Sequence, residues 1–162
     1  MTYITDKKKW YTEQITACQA SLYRLAVSLL RDEEDARDAL QEALCAGYEK
    51  LGALRDPDKF RPWIIRILHN AAYDILRQRK PSVSLSDIPP GKEPSDTPSY
   101  SADMALGDAV KALPVEYRTV VILFYYEEMS VKQISEITGL SAGAVKTRLS
   151  RARGRLKTML DL

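Results

Sequence analysis

The stretch SVKQISEITGLSAGAVKTRLSRAR, residues 130–153, predicts two short helices joined by a tight turn. Ser130 can cap the first helix, and Gln133 three residues later completes a capping-box pattern. Gly139 falls where the first helix should end, at a position that tolerates left-handed backbone angles. Ser141 can then cap the second helix. Together these signals define a helix, a glycine turn and a second helix.

The second of these helices is predicted to be apolar on one side and basic or polar on the others. Its apolar residues recur at offsets of four, seven and eleven, and they are Val145, Leu149, Ala152 and Leu156. The other sides carry Lys146, Thr147, Arg148, Ser150 and Arg151. A helix that is buried along one side and basic elsewhere, after a glycine turn, suggests a recognition helix in the major groove of DNA.

Charge is unevenly distributed along the chain, although its 162 residues carry a net charge of only +2. Residues 141–160 contain six Lys or Arg and no acidic residue, and residues 59–80 contain six against one acid, Asp74. Residues 31–42 reverse the balance, with six acidic residues against Arg31 and Arg37. Two basic zones and one acidic zone suggest two polyanion contacts and one partner of a different kind.

The residue types that usually build an active site are sparse. Cys18 and Cys45 lack metal-type spacing, and each falls in an apolar helical pattern that predicts a buried free thiol. His69 is the single histidine, and the sequence holds no Ser/His/Asp constellation and no phosphate-cradling glycine loop. We therefore expect a protein that is not an enzyme and has no metal, cofactor or small-molecule substrate.

The sequence also lacks a membrane-spanning pattern. No run approaches the ~18 apolar residues of a transmembrane helix. The N-terminal segment with KKKW at residues 7–10 has no apolar stretch of the kind found in signal peptides. We expect a cytoplasmic protein that does not itself span a membrane.

Apolar residues in the first half of the chain recur at helical spacing and predict three helices. The first covers residues 9–30, and its core stripe comprises Leu22, Leu25, Ala26, Leu29 and Leu30. The second covers residues 33–51, and its apolar face comprises Ala36, Ala39, Leu40, Ala43, Leu44 and Tyr48. The opposite face of the second helix groups Asp35, Asp38, Gln41 and Glu42. A solvated helix face is the simpler interpretation of this acidic group.

The third helix is predicted over residues 62–79, after a loop at 52–61. Its core face comprises Ile64, Ile67, Leu68, Ala71, Ile75 and Leu76. Its polar face comprises Arg66, Asn70, Tyr73, Asp74 and Arg77. Asn and Arg side chains bind base edges as well as phosphates. A solvated face is again the simpler alternative, but the positive charge and the basic loop before the helix favour nucleic acid.

A Pro-rich segment divides the chain. Residues 81–101 contain five of the eight prolines and predict an extended linker, which spans at most about 70 Å at ~3.3 Å per residue. Beyond it, helices are predicted at 103–113 and from Pro114 to about Glu128, and the second has a core of Val120, Val121, Phe124 and Tyr125. The predicted fold class is therefore all-α, with two small helical domains at 1–80 and 103–162 and a linker at 81–102.

Five segments form a specific set because of their order and spacing around the Pro-rich segment. They are DARDALQE (35–42), FRPWIIRILHNAAYDILR (60–77), LP with YR (113–114 and 117–118), ISEITGLS (134–141) and VKTRLSRAR (145–153). This set resembles the extracytoplasmic-function (ECF) sigma factors of bacterial RNA polymerase, the minimal type with only sigma regions 2 and 4. The resemblance implies a region 2-like bundle of three or four helices and a region 4-like helix-turn-helix domain.

The resemblance also implies partners and site residues. The chain would bind core RNA polymerase and promoter DNA, and an anti-sigma factor would control it. The acidic face would bind a coiled coil of the largest polymerase subunit through Asp35, Asp38, Gln41 and Glu42. The minus-10 element would be bound and opened by Lys59, Arg61, Arg66, Asn70, Tyr73, Asp74 and Arg77. The minus-35 element would be read by Ser141, Lys146, Thr147, Arg148, Ser150, Arg151 and Arg155.

Two other classes of protein remain as alternatives. A response-regulator-like activator fits the C-terminal helices, but the N-terminal half lacks the alternating strands and helices of a receiver domain. A polymerase-binding antagonist that has lost DNA recognition is disfavoured by the retention of four candidate DNA-binding residues, Arg66, Asn70, Lys146 and Arg148. Mixing the chain with core polymerase separates the three classes. A sigma factor confers promoter-specific initiation, a regulator needs another sigma factor, and an antagonist reduces initiation.

Overall fold

In a computed structural model, residues 3–79 and 102–161 are described, and within those ranges the chain is all-α without a strand, as predicted. The chain separates into two compact units, Met1–Arg79 and Lys80–Leu162. The predicted linker lies outside the described residues, except that Ala102 begins a helix. Each unit is therefore considered by itself.

The first unit is a bundle of three helices. They are α1 (Tyr3–Leu30), α2 (Glu33–Glu49) and α3 (Phe60–Arg79), with short 3-10 turns at Leu51–Ala53 and Pro57–Lys59. Asp32 caps α2 by accepting a hydrogen bond from the Asp35 amide at 2.9 Å. Asp56 similarly accepts from the Asp58 amide at 3.0 Å, so the loop between α2 and α3 is an ordered turn.

The core of this bundle combines large side chains of α1 and α3 with small ones of α2. The predicted α1 stripe is fully buried, as are Ala36, Ala39 and Ala43 of α2. Gly47 extends this small surface, because a Cβ there would lie 2.6 Å from both the Ile64 side chain and the Tyr11 hydroxyl. Each buried leucine contributes about 1.5–3 kcal/mol to folding. The small residues let the three helices approach closely.

An aromatic cluster fastens the N-terminal part of α1 to the other two helices. Trp10 and Tyr11 both lie edge-on to Phe60, with ring centroids 5.5 and 5.9 Å away. Tyr11 also donates a hydrogen bond to the Leu44 carbonyl at 2.5 Å. Burial raises the pKa of Tyr11 to about 12, so its hydroxyl keeps the proton that it donates. This tertiary support explains why α1 begins before residue 9, where its lysine-rich sequence alone gives little reason for a helix.

Several predictions of burial in the first unit are wrong in detail. On α3, Ile65, His69 and Ala72 are buried, whereas the predicted core residues Ile67 and Ile75 are only half-buried. The reason is that α3 packs against both α1 and α2, which widens its buried face and turns it toward Ile65. Tyr48 is exposed at the end of α2. The two thiols are free as predicted, but Cys45 is exposed and Cys18 is half-buried.

The second unit packs four helices around a separate core. They are α4 (Ala102–Ala112), α5 (Val115–Val121), α6 (Val131–Thr138) and α7 (Ala142–Met159). Its most deeply buried side chains include Leu113, Val120, Leu123, Ile134 and Val145. The buried Arg118 guanidinium donates to the Leu113 carbonyl at 2.6 Å, which ties α5 to the end of α4.

A π-helical turn, Ile122–Tyr126, continues α5 and corrects the predicted core of that helix. The Glu127 amide donates to the Ile122 carbonyl at 2.9 Å, which is the wider spacing of a π turn. The extra residue rotates the following side chains relative to an α-helix. Val120 and Val121 are buried as predicted, but Phe124 is half-buried and Tyr125 is 49% exposed.

Candidate nucleic-acid interface

The turn between α6 and α7 has the geometry that the sequence predicts. The Ser130 hydroxyl accepts from the Gln133 amide at 3.1 Å, and the Gln133 side chain accepts from the Ser130 amide at 2.9 Å. Gly139 ends α6 in the left-handed conformation, with φ of 81°. The Ser141 hydroxyl caps α7 by accepting from the Ala144 amide at 3.1 Å. Capping box, glycine turn and second cap are all confirmed.

The first turns of α7 expose a continuous row of polar side chains. Val145, Leu149 and Ala152 are buried, as predicted, whereas Leu156, predicted on the same side, is only half-buried. The opposite side is a basic stripe, defined here as Lys146, Thr147, Ser150 and Arg151, all of which are exposed. Arg148 lies at the margin of this stripe and is half-buried. The stripe carries two cations and two hydroxyl donors, which suits phosphates and base edges.

The last turns of α7 use their arginines differently. The Arg155 guanidinium carbon lies 4.9 Å from the centre of the Tyr117 ring, and this arginine is half-buried. The Arg153 guanidinium donates to the Tyr125 hydroxyl at 3.1 Å. Both contacts hold α7 against the segment that contains α5 and the π turn. Arg155 was predicted to read the minus-35 element together with the exposed residues of α7. In the structure it packs against Tyr117 and lies apart from the basic stripe.

The polar face of α3, defined as Arg66, Asn70, Tyr73, Asp74 and Arg77, lies opposite the core as predicted. Arg66 and Asn70 are exposed one turn apart, and Lys59 is exposed just before the helix. The Arg77 guanidinium forms an ion pair with the Asp74 carboxylate at 2.6 Å, and both side chains are mostly exposed. Such a surface pair is weak and can open for a ligand. Arg61 and Tyr73 are half-buried.

A buried histidine, His69, supports this polar face. The sequence did not predict this role of the histidine. The rings of His69 and Tyr73 stack with centroids 4.3 Å apart. His69 Nδ1 lies 3.5 Å from the Asn70 side-chain oxygen, and its Nε2 is buried without a hydrogen-bond partner among the described residues. Burial lowers the pKa of His69 to about 4, opposed by Asn70 and reinforced by the charge of Arg77. The imidazole is therefore neutral near pH 7 and acts as a fixed apolar backing for Tyr73.

The acidic surface on α2, defined as Asp35, Asp38, Gln41 and Glu42, divides into two parts. Asp38, Gln41 and Glu42 are exposed along one side of the helix. Asp35 is half-buried and forms an ion pair with the last residue of α3, Arg79. Sequence analysis missed Arg79 as a partner, because 44 positions separate the two residues. The only local indication of a role for Arg79 is that a cation is favourable in the last turn of a helix.

Residues 3–79 and 102–161 contain neither a metal-type cluster of side chains nor a membrane-spanning helix. No group of three or more His, Cys, Asp or Glu side chains in that part of the chain could hold a metal ion. None of the helices described there combines the length and the apolar character needed to cross a membrane.

Both units match families that bear on function. Residues 15–81 match the family described as Sigma-70 region 2, and residues 103–156 match the family described as Sigma-70, region 4. The fold resembles two solved complexes. One is the sigma factor RpoE with the anti-sigma factor NepR from Bartonella quintana (TM-score 0.74, 23% identity, 94% of this chain and 97% of that chain). The other is CnrH with the cytosolic domain of CnrY (TM-score 0.66, 26% identity, 93% and 87%).

Relatives of similar length share about a third of the sequence. The RNA polymerase sigma factor SigV of Bacillus subtilis is 34% identical over 143 residues, which cover 85% of this chain and 83% of SigV. The ECF RNA polymerase sigma factor SigM of Mycobacterium tuberculosis H37Rv is 35% identical over 141 residues, 86% of this chain and 71% of SigM. The chain thus belongs to the ECF family of RNA polymerase sigma factors, which direct promoter-specific initiation of transcription.

Proposed function

We propose that the acidic surface of α2 holds core RNA polymerase while α3 and α7 bind two elements of one promoter. The observation that carries this proposal is the separation of charge. The acidic surface, the polar face of α3 and the basic stripe of α7 each occupy the exposed side of a different helix. A surface of one sign attracts a partner of the other, so three surfaces suit three contacts.

The basic stripe is proposed to read the minus-35 element as duplex DNA. Its side chains project from one side of a capped helix that follows a glycine turn, which is the geometry of a recognition helix. Arg148 contributes from the margin, and Ser141 orients the first turn. Arg155 contributes by packing α7 onto Tyr117. A bidentate arginine contact is worth about 1–3 kcal/mol of discrimination per base.

The polar face of α3 is proposed to bind the minus-10 element and to stabilise its opened strand. Arg66 and Asn70 offer donors and acceptors for base edges, and Lys59 and Arg61 supply positive charge next to them. The stacked pair of His69 and Tyr73 keeps an aromatic ring at the margin. Holding a base out of the stack costs a few kcal/mol, which such contacts offset. Asp74 offsets part of the positive charge of Arg77 through their ion pair.

The acidic surface is proposed to bind a coiled coil of the largest polymerase subunit, with Asp38, Gln41 and Glu42 at the contact and Asp35 contributing to the surface.

The chain is not itself an enzyme in this proposal, because the polymerase supplies the chemistry. It acts in the cytoplasm. Residues 1–80 and 103–162 form two domains joined by a linker at 81–102.

An anti-sigma factor is proposed to control the chain. The support is the solved complex of the sigma factor RpoE with the anti-sigma factor NepR, which shares this fold. A protein partner that covers the acidic surface or the basic stripe would exclude polymerase or DNA by competition. Binding of that kind removes the sigma factor by mass action, without a covalent change.

Run-off transcription with the purified chain and core polymerase tests the proposed function. We expect initiation at specific promoters, and we expect the double variant Asp38→Ala with Glu42→Ala to lose affinity for core polymerase. The matched control is Asp6→Ala with Glu13→Ala, which removes two exposed carboxylates from α1. Unchanged polymerase affinity in the double variant would show that the acidic surface has been assigned wrongly. A chain that only reduces initiation by another sigma factor would be an antagonist.

A further inference from the structure

Arg79 joins the ends of all three helices in the first unit. Its Nε donates to Asp35 Oδ2 at 3.0 Å, and its Nη2 donates to the same oxygen. Its Nη1 donates to the Leu30 carbonyl at 2.8 Å. Leu30 ends α1, Asp35 lies in the first turn of α2, and Arg79 ends α3. These three contacts are called the Arg79 clamp.

The clamp satisfies groups that the helix ends leave open. The Leu30 carbonyl belongs to the last turn of α1, where carbonyls lack partners within the helix. The chain turns sharply after it, because Arg31 has a left-handed φ of 56°. The charges also suit their places, since a carboxylate favours the start of a helix and a guanidinium the end. Both side chains are only 33% exposed, so solvent weakens their attraction less than at an open surface.

The clamp changes what Asp35 can offer to a partner. One oxygen of its carboxylate already accepts both bonds from Arg79. Asp38 and Glu42, farther along α2, are exposed and form no ion pair within the described part of the chain. A polymerase surface can therefore reach these two carboxylates without meeting an internal contact, whereas Asp35 has one of its two carboxylate oxygens already bound by Arg79.

We propose that Arg79 is a positioning residue for polymerase binding, and that Asp35 acts through it rather than by touching the polymerase. The clamp fixes the start of α2 against the end of α3, so that Asp38 and Glu42 stand at a set place relative to the polar face of α3. This inference rests on the proposed role of the acidic surface. It adds that the orientation of this surface depends on a residue of the DNA-binding helix.

The clamp and a direct contact by Asp35 predict opposite effects of removing Arg79. If Asp35 touches the polymerase, Arg79→Gln frees its carboxylate and affinity rises. If the clamp orients α2, Arg79→Gln loosens the corner and affinity falls. Arg79→Lys keeps the charge but loses the fork of donors, so affinity falls by less. The sign of the change in affinity therefore separates the two roles.

The test measures the affinity of the full-length chain for core polymerase in the absence of DNA. We expect Asp35→Asn and Arg79→Gln each to weaken binding about five- to tenfold, and the double variant to be no weaker than Arg79→Gln alone, because Asp35 acts only through Arg79. Arg24→Gln, an exposed arginine of α1, makes the same change in charge without touching the clamp.

Other outcomes would contradict either the clamp or the proposed acidic contact. Unchanged or tighter binding by Arg79→Gln, or losses that add in the double variant, would show that the clamp does not position α2. If Asp38→Ala with Glu42→Ala leaves affinity unchanged while the clamp variants lower it, the proposed acidic contact fails, and the clamp positions a different surface of the first unit for the polymerase. Urea unfolding of each variant tests whether that variant is folded at the temperature of the assay.

Discussion

The basic stripe of α7 and the polar face of α3 both carry arginines, but the two helices support them in different ways. On α7 no acidic residue lies between residues 141 and 160, and arginines near the end of the helix hold it against the segment that contains α5 and the π turn. On α3 an acid lies among the basic residues, and a buried histidine backs the aromatic ring. A rigid duplex can be bound by a simple cationic row, whereas an opened strand needs fixed partners for single bases.

The largest difference between the two units should be their response to acid, because the single histidine of the chain is buried in the first unit. The pKa of His69 is lowered to about 4 in the folded state, so the unfolded chain binds the proton more readily. Its contribution to stability is complete above pH ~6.5 and is lost as the pH falls toward ~4. Between pH 7 and pH 5 the loss should be about 2 kcal/mol.

Urea unfolding followed by tryptophan fluorescence measures this effect in the first unit alone, since Trp10 and Trp63 are the two tryptophans of the chain. The variant His69→Leu removes the group that titrates. Its free energy of unfolding should therefore change less than that of the unchanged chain between pH 7 and pH 5. Equal losses of stability in the variant and the unchanged chain would mean that another group titrates. In that case His69 would not distinguish the two units.

The next largest effect compares two arginines of α7. Arg151 is exposed in the basic stripe, so Arg151→Ala should lower initiation at promoters with a minus-35 element about tenfold or more, from the loss of 1–3 kcal/mol. Arg155 packs on Tyr117, so Arg155→Ala should instead lower the stability of the second unit by about 0.5–1 kcal/mol. Run-off transcription and thermal unfolding of both variants provide the measurements.

Core-polymerase affinity is the control for this pair and should stay unchanged in both variants. A promoter defect in Arg155→Ala as large as that of Arg151→Ala, without loss of stability, would make Arg155 a direct DNA contact. The division of α7 into a reading part and a packing part would then be wrong.

The accuracy of the sequence predictions depended on how local the responsible forces are. The cap at Ser130, the turn at Gly139 and the cap at Ser141 depend on residues within four positions, and all three were predicted. The exposure of Tyr125 was not, because a π turn depends on how its flanking helices pack. The pairing of Arg79 with Asp35 was also missed, since helical periodicity carries no information about a partner 44 residues away.

The smallest effect concerns the ion pair on α3. Asp74→Asn should free Arg77 and make the polar face more like the basic stripe. Because a surface pair is worth at most about 1 kcal/mol, binding to a single-stranded minus-10 oligonucleotide should tighten only about two- to threefold at low salt. The gain should disappear at high salt, where exposed charges are screened. Fluorescence anisotropy over a range of salt concentrations measures both.

The double variant Asp74→Asn with Arg77→Gln decides what the acid does. If Asp74 acts only by holding Arg77, removing both charges should return binding to the unchanged level, and the salt dependence should return with it. If Asp74→Asn weakens binding at every salt concentration, the carboxylate itself contacts a base. The polar face of α3 would then be an interface for specific bases in which an acid participates, and its difference from the basic stripe would be one of chemistry rather than of net charge.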